Sequence, residues 1–266
     1  MNVDFGHKHL TGLAWLFSFI AVLLVVVLFL KKKFKLGESY DRAVIRYTCY
    51  FMWAWEIIKT FRMVNYSDMN FGPVGHYPVW MAPFHICSMG LYAYLIIGSK
   101  RHSKLAEWVT PFGYAVLMLV TTIILTIPAS SGILGPIENW SWCFDNLLPY
   151  QSWLYHGCLV FVPLYMALSG FYRPKWSDIY KAAAVLGVLA AFAQTLNYAL
   201  DGSGADFMTL RYGNGNPFAF LLQDTPILYY VLLGTVSLAG ISMIIGATIG
   251  IRALAAKLRE KNIKTV

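Results

Sequence analysis

The chain has 266 residues, of which 58% are hydrophobic and only 13% are charged. Soluble domains carry roughly a quarter charged residues, so this composition excludes an ordinary soluble domain and predicts a protein embedded in lipid. The formal net charge of +8 does not indicate nucleic acid binding, because Lys and Arg lie at the ends of apolar segments, as in membrane proteins. No polar stretch is long enough for a separate soluble domain, so residues 1–266 are predicted to form a single polytopic membrane domain.

Seven segments are apolar enough to cross a bilayer, which takes about 20 mainly apolar residues per helix. They are residues 11–30, 43–63, 79–98, 106–127, 152–172, 178–200 and 227–251. The first is too long for the apolar region of a signal peptide and is followed by lysines rather than by a cleavage site. The predicted fold class is therefore an all-α membrane protein, a seven-transmembrane-helix bundle.

Lys and Arg alternate between the connections. They are frequent in connections 31–42, 99–105 and 173–181 and in the C-terminal tail, absent from 64–78 and 128–151, and represented only by Arg211 in 201–226. Because cytoplasmic loops carry the excess of Lys and Arg, this pattern predicts an outside N-terminus and a cytoplasmic C-terminus in a multi-pass protein of the cell membrane. The three long outer connections are predicted to form ordered caps at the membrane interface.

Polar side chains lie inside four of these spans, near the predicted outer ends. They are Glu56 in the second span, His85 in the third, His156 in the fifth, and Gln194 and Asn197 in the sixth, with Asp201 at its rim. Ionisable groups are costly inside a membrane, so each is a functional-site hypothesis by default. A helix rises about 1.5 Å per residue, which puts these groups at similar depths. We expect them to line one polar pocket in the outer half of the bilayer.

Each ionisable residue has two interpretations that the sequence leaves open. His85 and His156 either hold helices together through hydrogen bonds or act in binding and catalysis, since histidine titrates near neutrality. Glu56 lies three residues before Lys59 on one helix face and either pairs with it or orients a histidine, as the carboxylate of a hydrolytic triad does.

Cys87 and Ser88 follow His85 closely. On a regular helix Cys87 points about 200° away from His85, so the two side chains do not pair unless Pro83 distorts the turn. Ser88, three residues after His85, shares its helix face. Buried cysteines are most often inert, and helical serines usually bond their own backbone, so both residues have a structural alternative.

Several kinds of site are excluded. The seventh span contains no lysine, so it cannot hold a retinal Schiff base. The chain lacks the H-E-x-x-H, G-x-S-x-G and G-x-x-x-x-G-K-[ST] motifs. The four cysteines show no metal-ligand spacing, so neither a metal nor a cofactor is expected.

A family resemblance is carried by four pieces of the chain. They are WEIIKTF in the second span, APFHICSMG in the third, the histidine of the fifth, and N-Y-x-L-D followed by N-G-N-P-F-x-F-L after the sixth. From about residue 50 to 250, the chain resembles the YwaF-like bacterial integral membrane proteins, which are similar to the eukaryotic transmembrane protein 164 family. The resemblance implies a bacterial plasma membrane protein and an acyltransferase acting on phospholipids.

By the same resemblance, His85 and His156 match the paired histidines of the family. Phe84 stands where the eukaryotic relatives have the suggested nucleophilic cysteine, and Cys87 is the candidate that remains in this chain.

Two main functional hypotheses follow. In the first, a lipid acyltransferase or hydrolase uses the Cys87 thiolate, or a water activated by a histidine, as the nucleophile. Glu56 then orients the base, and Asn197 or backbone groups stabilise the oxyanion. The substrate-binding residues would be Lys59, Ser88, Gln194, Asn197 and Asp201.

In the second hypothesis, the protein binds a small molecule without catalysis, as the substrate-binding subunit of an importer or as a receptor. A third is a scaffold whose polar layer only locks helices together. The expected partners are membrane lipid and a small-molecule or phospholipid substrate.

Overall fold

The computed structural model describes residues 7–65, 77, 79–101, 103–126, 147–213, 216 and 218–263. Over these residues the protein is 80% helical and contains no strand, which confirms the predicted all-α class. Most of the predicted connections 64–78 and 128–151, including Cys143, lies outside the described residues. The connection 201–226 is largely described and folds into turns and short helices.

Nine α-helices follow one another in the described ranges. They are α1 His7–Lys33, α2 Glu38–Asn65, α3 Met89–Ile97, α4 Lys104–Pro111, α5 Leu117–Thr126, α6 Leu147–Leu168, α7 Asp178–Ala199, α8 Leu221–Asp224 and α9 Pro226–Ile263. A π-helical turn, Phe112–Val116, joins α4 to α5 in one rod, and 3₁₀ turns lie at Val79–Met81 and Phe207–Thr209. Pro111 removes one N–H donor from the helix ladder, and the π turn begins at the next residue.

Four helical rods of the described chain are long and apolar enough to cross a membrane. They are Gly12–Lys33, Lys104–Thr126, Asp178–Ala199 and Pro226–Leu258. Only 17%, 11% and 11% of the most apolar stretches of α1, α7 and α9 are buried, against 56% for the α4–α5 rod. Large apolar side chains such as Val25, Val188 and Ile227 are exposed on α1, α7 and α9. These three helices therefore present apolar outer surfaces suited to lipid.

The other three predicted spans, in α2, α3 and α6, are not among these four rods. The part of α2 within the predicted span 43–63 carries four charged residues, Arg46, Glu56, Lys59 and Arg62, and α3 is only nine residues long. The described part of α6 begins its buried stretch with Gln151, Ser152, Trp153 and includes His156. These are the segments that carry most of the candidate site.

The predicted continuous helix over 79–98 is wrong in its first half. A 3₁₀ turn at Val79–Met81 is followed by irregular turns over residues 82–88, and α3 begins only at Met89. Pro83 explains the break, because it lacks an N–H and disfavours helical geometry at the preceding residue. We call residues 82–88 the Pro83 turn. The helical angle of about 200° between His85 and Cys87 does not apply within it.

Contacts at two glycines show that α2 and α3 run antiparallel. Gly98, just after α3, lies against the backbone of Arg46 in the first half of α2. Gly90, at the start of α3, lies against the side chain of Met52, further along α2.

The direction of other neighbours follows from similar contacts. Gly12 of α1 lies against Trp153 of α6, and Leu16 lies against Gly157, so α1 and α6 run parallel. Gly240 of α9 packs on Leu119, whereas Thr248 bonds the earlier Tyr114, so α9 is antiparallel to the α4–α5 rod. Rods an odd number of steps apart in the chain thus run in opposite directions in these pairs, as a multi-pass chain requires.

One end of the bundle joins several helix termini through ion pairs and hydrogen bonds. Lys31 at the end of α1 pairs with Asp41 in α2, with 2.7 Å between Nζ and Oδ2, and donates to the Ser169 carbonyl just after α6. Arg42 donates to the Ile97 carbonyl at the end of α3. The basic connections 31–42, 99–105 and 173–181 start or end at these residues. We call this the basic end; the Pro83 turn lies at the opposite end.

Candidate active site

Packing around Gly90 fixes which residues share a level in the bundle. Gly90 lies against Met52 of α2 and Leu159 of α6. Glu56 is one turn beyond Met52, and Tyr155 is one turn before Leu159, each on the same face of its own helix. α2 runs antiparallel to α3, and α6 runs parallel to it. The step from Met52 to Glu56 and the step from Leu159 to Tyr155 therefore both lead from the level of Gly90 towards the Pro83 turn. Glu56 and Tyr155 therefore lie at the level of Cys87.

Glu56 and Lys59 form a buried ion pair at this level. Glu56 Oε1 lies 2.6 Å from Lys59 Nζ, and the two side chains are only 6% and 10% exposed. Lys59 Nζ also approaches the Met81 carbonyl at 3.5 Å. Of the two sequence interpretations of Glu56, pairing with Lys59 is therefore the contact observed. The pair fastens the second half of α2 to the segment that leads into the Pro83 turn.

Cys87 and Ser88 lie beside this ion pair. The Cys87 thiol is within electrostatic reach of the Lys59 ammonium group and interacts with the Ser88 hydroxyl. Burial favours the neutral thiol, whereas the Ser88 hydroxyl and the Lys59 charge act in the opposite sense and favour the thiolate, which is the nucleophilic form of cysteine. This places three of the predicted site residues, Lys59, Cys87 and Ser88, in one cluster with Glu56.

His156 is buried in α6 and bonded to its own helix. Its side chain is 3% exposed, and Nδ1 lies 2.7 Å from the Ser152 carbonyl oxygen. A carbonyl only accepts, so Nδ1 carries the proton and Nε2 carries a free lone pair. Nε2 is buried and has no hydrogen-bond partner among the described residues. An imidazole held in this tautomer is arranged as a general base.

His85 lies in the Pro83 turn, against an aromatic group. Its ring meets the ring of Phe207 edge to face, with 5.4 Å between centroids. Phe84 packs on the same Phe207 ring at 5.5 Å and on Phe192 at 5.9 Å. One contact of His85 therefore comes from the connection after α7, through Phe207.

Asn197 holds Phe207 by its backbone. The Asn197 side chain accepts from the Phe207 N–H at 2.7 Å and donates to the Phe207 carbonyl at 3.0 Å. Gln194, one turn earlier, donates to the Tyr230 hydroxyl at 3.2 Å. The structure thus places both predicted substrate-binding amides in contacts between α7 and its neighbours.

The backbone after Phe207 is strained. Met208 and Thr209 both adopt φ = 58°, a left-handed conformation that is unfavourable for β-branched Thr209 in particular. Asp206 secures one side by accepting the N–H groups of Arg211 and Tyr212 at 2.8 and 3.1 Å. Strain of this kind persists only where the surrounding contacts over-determine the backbone, and it clusters at functional sites.

Asp201 lies at the exposed edge of the same connection. It pairs with Arg211 at 2.6 Å while remaining 62% exposed, and the guanidinium stands over the rings of Tyr198 and Tyr212 at 4.8 and 5.3 Å. Although desolvation acts to raise it, the pKa of the Asp201 carboxyl is held below its ordinary value by the Arg211 charge. Asp201 thus closes the connection over α7 instead of joining the Cys87 cluster.

A groove reaches Glu56 from the outer surface of α2. It has a volume of about 430 Å³ and is lined by Trp53, Glu56, Ile57, Thr60, Phe61, Val64 and Pro83. Ile57 and Phe61 are 64% and 58% exposed, so the groove opens on the side of α2 that faces away from the bundle. Its lining is apolar except at Glu56 and Thr60.

Comparison with known proteins gives one match. The family model described as the TMEM164 family matches residues 5–245. The chain belongs to the TMEM164 family. Neither the comparison with curated proteins nor the comparison with solved structures found a match. Membership in this family, together with the four apolar rods, makes the chain a multi-pass membrane protein.

Two tyrosines of this TMEM164 family member were missed by sequence reasoning. Tyr155 is 4% exposed, has Cys87 and Glu56 within electrostatic reach, and interacts with the Ser88 side chain. Tyr77, before the 3₁₀ turn, donates to the Met81 carbonyl at 2.9 Å; burial, and then the Glu56 charge, raise its pKa to about 12. Both resemble the aromatic residues common throughout this chain, so only the packing against Gly90 distinguishes Tyr155.

The described part of this TMEM164 family chain has no cluster of three or more His, Cys, Asp or Glu side chains that could hold a metal ion. Cys49, Cys87 and Cys158 are free thiols.

Proposed function

We propose that the protein is a lipid-active acyltransferase or hydrolase of the cell membrane, with Cys87 as its nucleophile and His156 as its general base. The observation that carries the proposal is the buried Glu56–Lys59 ion pair beside the Cys87 thiol. Ionisable groups at membrane depth are costly and usually serve a function. The groove at Glu56 supplies an apolar channel from the lipid-facing side of α2, which suits an acyl chain.

The reaction begins with proton transfer from the Cys87 thiol to Nε2 of His156. The sulfur then attacks the ester carbonyl carbon of the lipid, and the π electrons of the carbonyl move to its oxygen. When the carbonyl re-forms, the bond to the alcohol oxygen breaks and that oxygen takes the proton from His156. A water or an acceptor alcohol repeats these steps on the thioester, releasing an acid or a new ester and restoring the Cys87 thiol.

The remaining site residues have supporting roles in this proposal. Lys59 stabilises the Cys87 thiolate, and Glu56 holds the ammonium group in place, which replaces the predicted role of Glu56 in orienting a histidine. Ser88 shares the thiol environment. Asn197 supports His85 through Phe207. These assignments follow the contacts that each side chain makes.

The test is acyl release or transfer by the purified protein in nanodiscs that contain a phospholipid with a radiolabelled acyl chain. Cys87→Ala and His156→Gln should lower turnover at least 100-fold, because each removes a reacting group. Cys158→Ala is the matched control, since Cys158 is another free thiol outside the cluster. Turnover by Cys87→Ala equal to wild type would overturn the role of the thiol, and equal turnover by His156→Gln the role of the base.

In the same assay, His85→Ala shows which of the two histidines acts as the base. A loss smaller than that of His156→Gln agrees with a supporting position under Phe207. A complete loss with His156→Gln active would make His85 the base instead. Saturable binding of a small solute by a wild-type protein that releases no acyl chain would favour the non-catalytic binding protein.

The membrane arrangement proposed with this function has seven spans, an outside N-terminus and a cytoplasmic C-terminus, as in a YwaF-like protein of the bacterial plasma membrane. Support comes from the antiparallel pairing of neighbours and from the collection of basic connections at one end. Gly37→Cys and Tyr212→Cys test it by labelling intact cells with a membrane-impermeant maleimide, with the wild-type chain as background. Labelling of the Tyr212 variant alone is expected; labelling of both would refute the orientation.

A further inference from the structure

The Tyr155 hydroxyl is a buried polar group to which the proposed reaction has not yet given a role. The residue is 4% exposed, and its hydroxyl has no hydrogen-bond partner among the described residues. Native structures leave few buried hydroxyls unpaired, and each exception calls for an explanation. A hydroxyl that waits for a substrate atom is one such explanation.

The packing of α6 aims this side chain at the Cys87 cluster. Tyr155 lies one turn before Leu159, which packs on Gly90 at the start of α3. Because the two residues share a helix face, Tyr155 faces the residues that precede Gly90, which include Cys87. The hydroxyl is within electrostatic reach of Cys87 and Glu56 and interacts with the Ser88 side chain, which agrees with this position.

We infer that Tyr155 is a catalytic residue whose hydroxyl donates a hydrogen bond to the carbonyl oxygen of the acyl substrate as Cys87 attacks. This inference rests on the proposed acyl-transfer function. As the sulfur–carbon bond forms, negative charge collects on the carbonyl oxygen, and a donor already directed at that position stabilises it. Tyr155 keeps its proton throughout, and the charge leaves the oxygen when the carbonyl re-forms.

Competing donors in the site are already engaged. The Asn197 amide, which the sequence suggested for this role, bonds both backbone groups of Phe207. The Lys59 ammonium group is paired with Glu56. The Tyr155 hydroxyl differs from both: it interacts with the Ser88 side chain but makes no hydrogen bond of normal geometry to any described residue, so little has to be broken before it binds a substrate oxygen.

Tyr155→Phe is the direct test, since it removes only the hydroxyl. In the acyl-transfer assay kcat should fall about 100-fold, the loss typical of one oxyanion donor, while KM stays within about twofold. The melting temperature in nanodiscs without substrate should equal or exceed that of wild type, because no hydrogen bond is lost. The matched control is Tyr94→Phe, whose buried hydroxyl bonds the Gly113 and Leu159 carbonyls: it should lower the melting temperature and leave kcat unchanged.

The outcomes separate this inference from the proposed function. Wild-type turnover that Cys87→Ala abolishes and Tyr155→Phe leaves within threefold would overturn the role of Tyr155 alone. A lower melting temperature for Tyr155→Phe would overturn it as well, because the hydroxyl would then have a structural partner. Absence of turnover in the wild-type protein would instead refute the proposed function, and this inference with it.

Discussion

Asn197 grips the backbone of Phe207 at both of its polar groups, with 2.7 Å to the N–H and 3.0 Å to the carbonyl. The ring of Phe207 is completely buried and rests on His85. One amide side chain on α7 therefore determines where the Pro83 turn meets the connection that follows α7. An asparagine matches both partners, because its side chain offers one acceptor and one donor group in a plane.

Replacing Asn197 should weaken the attachment of Phe207 to α7. Asn197→Ala leaves the Phe207 N–H buried without its partner, which costs about 1–3 kcal/mol for such a group, while the Phe207 carbonyl keeps the longer bond from the Leu210 N–H at 3.4 Å. A lower melting temperature in detergent or nanodiscs is expected, together with faster hydrogen exchange in residues 205–212. Thr195→Ala on the exposed side of the same helix is the control and should change neither. Equal exchange in both variants would show that Phe207 is held by other contacts.

The Glu56–Lys59 pair should behave as a coupled unit. Glu56→Gln leaves the buried Lys59 charge without its partner, and breaking a buried pair in this way costs about 3–5 kcal/mol. The double variant Glu56→Gln, Lys59→Met removes both charges and should be more stable than Glu56→Gln. Thermal unfolding measures both effects, with exposed Lys257→Met as a control. Additive losses in the double variant would contradict the coupling.

Three glycines should respond differently to alanine. At Gly98 a Cβ would lie 2.8 Å from the backbone nitrogen of Arg46, which cannot move aside, so Gly98→Ala should be strongly destabilising. At Gly90 the obstacle is the end of the Leu159 side chain, which has rotamer freedom, so a smaller loss is expected.

Gly187 is the matched control, because its Cβ would meet nothing within 4 Å. Alanine there should stabilise α7 by up to about 1 kcal/mol through helix propensity. The order of melting temperatures, Gly187→Ala above Gly90→Ala above Gly98→Ala, checks the packing of α2 on α3. A stable Gly98→Ala variant would mean that these helices are further apart.

Acid should weaken the connection after α7. The pKa of Asp201 is lowered in the folded state, so its contribution to stability is present above the unfolded pKa of about 4. That contribution is lost as the pH falls through the lower, folded value. The difference in melting temperature between wild type and Asp201→Asn should therefore shrink between pH 6 and pH 3. Asp224→Asn, at another exposed carboxylate, should show no such change; a constant difference for Asp201→Asn would argue against the ion pair.

Sequence patterns predicted the helices well wherever one period ran without interruption. The predicted spans at 178–200 and 11–30 agree with α7 and α1 because long apolar stretches leave few alternatives to a helix in lipid. The span at 79–98 failed in its first half because Pro83 breaks the helix ladder, an effect that a hydropathy average does not register. Length and hydropathy favour a membrane span at 79–98, but neither property indicates whether the backbone there is helical.

The candidate site was predictable as a set of residue types but not as a set of partners. The cost of a charge inside a membrane drew attention to Glu56, and in the structure its partner is Lys59, three residues away in the sequence. The sequence did not indicate a role for Tyr155, because its position near Cys87 depends on the register between α6 and α3. That register follows from the contact between Leu159 and Gly90. The sequence singled out Asn197 because it is polar. Its partners, however, are the backbone N–H and carbonyl of Phe207, and every residue has such groups, so no sequence pattern indicates them.

The contrast between apolar and polar rods bears on how the chain enters the membrane during synthesis. Each Lys or Arg at a helix centre adds about 2.5–3.5 kcal/mol to the cost of insertion. In the proposed seven-span arrangement, α2 is therefore poorly suited to move from the translocon into lipid by itself. Its buried charges become tolerable only when α3 and α6 have arrived to cover them. The ribosome therefore has to complete Leu168, at the end of α6, before α2 gains its permanent surroundings. Until then the apolar helix α1, and after it the α4–α5 rod, anchor the growing chain.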